Sequence, residues 1–106
     1  MNSIGIFIAA AFFELAGCFA FWAWLRLGKS FLFSFAGVLS LTMFAYLLTK
    51  APTAFAGRAY AAYGGIYVAA SVAWLMLIER AYPDLWDVIG VLFCLAGACI
   101  ILFAPR

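Results

Sequence analysis

Four apolar runs constrain this chain more tightly than any other feature. Ile4 to Leu25, Phe31 to Leu48, Ala59 to Ile78 and Val88 to Phe103 each approach the length that crosses a bilayer, for which about 20 apolar residues suffice as a helix. In hydrocarbon a backbone must satisfy its own N–H and C=O groups, which a helix does within one segment. The expected fold class is therefore an all-α integral membrane protein with four transmembrane helices, about 4–25, 31–48, 59–78 and 88–103. Composition agrees, because 71% of residues are hydrophobic and 9% charged, with a mean hydropathy of +1.20. A soluble domain needs a solvated surface that this composition cannot supply. The separators 26–30, 49–58 and 79–87 are short, which forces consecutive helices antiparallel. Four spans use up 106 residues as a single transmembrane domain, leaving no room for a soluble one.

Orientation should follow the basic residues. Arg26, Lys29 and Arg80 lie on one side of the expected topology, and Lys50, Arg58 and Arg106 on the other. A tie of three against three predicts insertion in both orientations, and hence an antiparallel homodimer; a weak bias settled by some other signal is the alternative. Four short helices can hardly enclose a polar path alone, whereas two copies can.

Such a path is suggested by Glu14, the only charged side chain between Ile4 and Leu25. A carboxylate at the centre of a membrane helix costs roughly 2.5–3.5 kcal/mol on insertion scales, so an intramembrane acid points to function. Its neighbours one turn away, Ala10, Ala11, Gly17 and Cys18, are all small. They provide either close helix packing or room for a ligand against the carboxylate.

The third span repeats aromatic hydroxyls. Tyr60, Tyr63 and Tyr67, followed by Ser71 and Trp74, recur at helical spacing. An interfacial aromatic belt accounts for Tyr60 and explains Tyr67 poorly. Aromatic faces attract cations and phenol hydroxyls can hydrogen-bond a carboxylate, so this face suits an organic cation. In the fourth span Gly90 and Gly97 fall nearly on one face, with Phe93, Cys94 and Ile101 completing a stripe. That stripe is a candidate dimer seam, with packing inside one chain as its alternative.

Other chemistries find no support. The chain has no His, no close carboxylate cluster and no glycine-rich phosphate loop, so neither a metal nor another cofactor is expected, and nucleic acid is not an expected partner. Cys18, Cys94 and Cys99 form no recognised framework and read as small apolar packers. A hydrolase needs a base beside its nucleophile, and Glu14 is the only deep candidate, so no enzyme is expected. Leu15-Ala16-Gly17-Cys18 spells a lipoprotein cleavage box, but the start carries no basic side chain and Glu14 interrupts the apolar core. Asn2 or Ser3 reads instead as a helix cap. Asp84 and Asp87 should sit in water at the start of the last helix.

Together, Ala10-x-x-x-Glu14-x-x-Gly17, Pro52 before the third span, Ala59-Tyr60-Ala61 and the Gly90 to Gly97 repeat resemble the small multidrug resistance superfamily. The run from Gly57 to Tyr67, GRAYAAYGGIY, resembles the signature of its YnfA-like branch. The resemblance covers the whole chain. It implies an antiparallel homodimer in a bacterial inner membrane, whose two equivalent Glu14 residues bind protons or cationic substrate in exchange. It also implies that Ala10, Gly17 and Cys18 line the site and that Tyr60 and Tyr63 face it. Drug exporters of the superfamily carry Trp in place of Tyr63 and an apolar residue in place of Arg58, which makes Arg58 a possible modulator. Its guanidinium either snorkels to the headgroups or turns inward against a cation.

The expected activity is proton-coupled export of a small organic cation. Two readings from other classes stand beside it: a small dual-topology ion channel, and a packing subunit of a larger membrane complex.

Overall fold

The structure, a computed structural model, describes residues 3–51 and 55–105. Four helices follow in order: α1 Ser3–Leu25, α2 Phe33–Leu48, α3 Ala56–Leu77 and α4 Leu85–Phe103. Three of them, α1, α3 and α4, are long and apolar enough to cross a membrane, and α2 is a shorter apolar helix. The all-α, four-span reading holds. Large apolar side chains face outward along every helix, with Phe12 59%, Leu39 73%, Leu77 71% and Phe93 76% exposed. Such a surface belongs against lipid, since in water a patch on this scale would drive association.

The chain divides after Ala51 into two compact units, each a helical hairpin. In the first, α1 and α2 meet at glycines. A Cβ placed on Gly17 would lie 2.7 Å from Leu41 Cγ and 3.0 Å from the Gly37 carbonyl oxygen. One placed on Gly37 would lie 2.7 Å from the Phe21 ring and 3.1 Å from the Gly17 carbonyl oxygen. Backbone thus approaches backbone, the close contact that small residues permit between membrane helices. The Ser40 hydroxyl donates to the Phe13 carbonyl across the same seam at 2.7 Å.

In the second hairpin the close point is Gly65. A Cβ there would lie 2.5 Å from the Cys94 carbonyl oxygen and 2.6 Å from Ala98 Cβ. Ala98 is buried at this contact.

Helix ends are closed by two devices. After α1 and after α3 the chain makes the same turn: Lys29 N–H donates to the Ala23 carbonyl and Ala81 N–H to the Leu75 carbonyl, each at 3.0 Å. This C-cap requires a left-handed residue, supplied by Gly28 with φ 71° in one case and by Arg80 with φ 57° in the other. The start of α4 is fixed by a reciprocal cap, in which the Asp84 side chain accepts from Asp87 N–H and the Asp87 side chain accepts from Asp84 N–H.

Boundaries moved where local chemistry outweighed hydropathy. The Asp84–Asp87 cap starts α4 at Leu85 rather than near residue 88, and α3 starts at Ala56, which brings Arg58 into its first turn. Ser3 is the first residue of α1, while Asn2, Pro52 and Arg106 lie outside the described residues.

Candidate functional site

Glu14 stands near the middle of the 23-residue α1. It is half-buried. Its small neighbours divide by role. Ala10 and Ala11 are wholly buried, Gly17 is taken up by the contact with Leu41 and Gly37, and Cys18 is exposed. Of the two uses left open for these small residues, Gly17 serves helix packing.

Packing at Gly17 also bears on Glu14. The Phe13 carbonyl points along α1 toward Gly17, whose missing side chain lets α2 come close enough for Ser40 to donate to it. Phe13 is the residue immediately before Glu14, so an interhelical hydrogen bond holds the backbone that carries the carboxylate. Ser40 was not among the residues singled out from sequence. Its signal was the pair Gly37 and Ser40, a small residue and a hydroxyl one turn apart in an otherwise apolar helix.

In α3 the tyrosines separate. Tyr63 is buried, 6% exposed, whereas Tyr60 is 57% exposed. Tyr67 is half-buried, and its ring lies 5.8 Å from that of Tyr63 with the planes inclined by 39°. The structure therefore brings Tyr63 and Tyr67 together as an aromatic pair and leaves Tyr60 outside it. Ser71 is used locally, its hydroxyl donating to the Tyr67 carbonyl at 2.9 Å.

Arg58 is exposed, and its guanidinium carbon lies 5.8 Å from the centre of the Phe55 ring. The same residues, with Ala61 and Ile101, line a cleft of about 320 Å³. In α4, Gly90 and Gly97 face open space, with no described atom within 4 Å of a Cβ at either. The proposed stripe is split: the Cys94 backbone lies against Gly65 in the α3–α4 seam, Phe93 is 76% exposed, and the two glycines contribute nothing to packing inside the hairpin.

Comparison with known proteins settles the family. The whole chain, residues 1–106, matches the family model described as "Uncharacterised BCR, YnfA/UPF0060 family". This chain belongs to the YnfA/UPF0060 family. It is 58% identical over 106 residues to a UPF0060 membrane protein of Ectopseudomonas mendocina, covering 100% of this chain and 96% of that one. A UPF0060 membrane protein of Brucella anthropi is 60% identical over 101 residues, 95% of each chain. One from Pseudomonas aeruginosa is 60% identical over 100 residues, covering 94% of this chain and 92% of that one. No solved structure gives a significant match. The YnfA/UPF0060 relatives share the membrane character read from hydropathy, and they align with this chain nearly end to end.

Proposed function

We propose that this YnfA/UPF0060 protein is a proton-coupled antiporter that exports small organic cations across the bacterial inner membrane as an antiparallel homodimer. The observation that carries the reading is Glu14, a half-buried carboxylate midway along a helix otherwise free of charge. A charge so placed is costly unless it is used. In a dimer with dual topology two such carboxylates would share one site. Protons and a cation then compete for the same charge. Mutually exclusive occupancy couples the two fluxes, and antiparallel symmetry makes the inward and outward states equivalent, so the proton gradient alone can drive exchange.

Two further features support the proposal. Tyr63 and Tyr67 form an aromatic pair, and aromatic faces attract organic cations. Among the described residues, Gly90 and Gly97 leave part of α4 unpacked within the α3–α4 hairpin, as a protomer–protomer seam requires.

Reconstitution tests the reading. Liposomes containing only this protein should accumulate a labelled organic cation against its gradient when a proton gradient is imposed. Cation flux that runs only downhill and ignores the proton gradient would indicate a channel, and no flux without a further protein would indicate a packing subunit.

A further inference from the structure

The geometry points to a binding site for an anionic phospholipid in the cleft formed by Phe55, Arg58, Ala61 and Ile101. The inference does not depend on the transport reading, because the cleft lies wholly within the second hairpin.

Depth is the first argument. Arg58 belongs to the first turn of α3, which starts at Ala56, and Ile101 lies in the last turn of α4, which ends at Phe103. The cleft therefore opens at one end of the hairpin. A helix of 22 residues spans about 33 Å, close to the ~30 Å hydrocarbon thickness. Its first turn then sits at the level of the lipid phosphates. Tyr60, 57% exposed and two residues further along, fits the aromatic belt at nearly the same depth.

Chemistry is the second. The cleft measures about 320 Å³, and of the four described residues that line it, the side chains of three offer only hydrocarbon or aromatic carbon. The fourth offers a guanidinium, whose planar fork matches a phosphate and which keeps its charge at any relevant pH. That combination suits an amphiphile with a phosphate at the mouth and an acyl chain against Ala61 and Ile101. A free phosphate would gain nothing from the apolar walls. A cationic substrate would meet a like charge. A zwitterionic headgroup brings an ammonium that the Arg58 guanidinium repels, so net anionic lipids are favoured. Phe55 underlies the guanidinium at 5.8 Å and holds it near the cleft by cation–π attraction.

Native mass spectrometry of the full chain released from detergent micelles tests this with phosphatidylglycerol, phosphatidylcholine and inorganic phosphate as probes. Wild type should retain about one phosphatidylglycerol per chain and prefer it to phosphatidylcholine. Arg58→Gln should weaken retention by about fivefold or more, in line with the contribution of one basic residue at an anionic membrane surface, and Arg58→Lys should recover part of it. Ile101→Trp should reduce retention by filling the cleft with every charge left in place. If Arg58→Gln does not fold, the wild-type preference and Ile101→Trp still decide the matter. Equal retention of both lipids by wild type, or wild-type retention by both Arg58→Gln and Ile101→Trp, would overturn the proposal. Displacement of the lipid by millimolar inorganic phosphate would also overturn it, by showing a free-anion site.

Discussion

Gly17 and Gly37 face each other across the α1–α2 seam, each with its carbonyl oxygen 3.0–3.1 Å from the place where the other's Cβ would be. Neither position has space for a side chain. The contact sits one turn from Glu14, so the backbone fit that joins the first hairpin also sets the surroundings of that half-buried carboxylate.

A graded series of glycine substitutions follows from these distances. Gly65→Ala should be the most damaging, since its new methyl would meet the Cys94 backbone at 2.5 Å, and backbone cannot rotate aside. Gly37→Ala should cost less, because its nearest neighbour is the Phe21 ring. Overpacking of this kind costs typically 1–3 kcal/mol. Gly90→Ala, in open space, should leave the fold of the single chain unchanged. Unfolding in mixed micelles would rank the three; a Gly65 variant as stable as the Gly90 one would contradict the seam.

Association should respond at the opposite set of glycines. Gly97→Ile should weaken dimerisation in detergent, because a bulky side chain would occupy a face that no described residue of the α3–α4 hairpin covers. The control is Ala96→Ile, at an exposed position of the same helix about 100° away around the axis. Cross-linking yield or sedimentation measures both. Equal behaviour of the two variants would remove Gly97 from any protomer contact.

Hydropathy revealed the four helices because spanning a membrane depends on summed transfer energy, and that sum is large in each apolar run. It misplaced the starts of α3 and α4. Gly57 and Arg58 read as loop residues, yet they form the first turn of α3, and Asp84 caps α4 four residues before the apolar run begins at Val88. The Glu14 position and the tyrosine spacing were legible because each is a departure from an apolar background within one helix. The Gly17–Gly37 and Gly65–Cys94 contacts were not, since pairing residues on different helices requires the register between them. The same limit explains Cys94, which shares a helical stripe with Gly90 and Gly97 on paper but has its backbone turned into the α3–α4 seam.

Tyr63 and Tyr60 should behave differently under the same substitution. Tyr63 is buried and packed against Tyr67, while Tyr60 is more than half exposed. Tyr63→Phe preserves the ring pair and should retain cation binding. Tyr63→Ala removes it, and losing a buried aromatic costs about 3–5 kcal/mol in soluble cores. Tyr60→Ala should leave stability nearly intact. Thermal unfolding together with cation uptake separates packing from binding: uptake unchanged in folded Tyr63→Ala would reduce the pair to a packing contact.

Glu14 carries the strongest prediction, because proton coupling and structural support require opposite behaviour of one variant. Glu14→Gln is nearly isosteric and cannot ionise, so it should preserve folding and dimerisation while abolishing proton-coupled exchange. Glu14→Asp retains a carboxyl on a shorter side chain and should exchange over a shifted pH range. In the wild type, cation affinity should fall as pH is lowered, since each proton taken up removes the charge that the cation needs. Linkage fixes the sign: a ligand that prefers the ionised form must lower proton occupancy when it binds. Adding a candidate cation to wild type in weakly buffered detergent solution should therefore release protons, and Glu14→Gln should release none. A purely structural acid would instead make Glu14→Gln misassemble and leave any residual flux indifferent to pH. Equal proton release from both forms would take Glu14 out of the mechanism and leave Ser40 and Gly17 as supports of a helix seam alone.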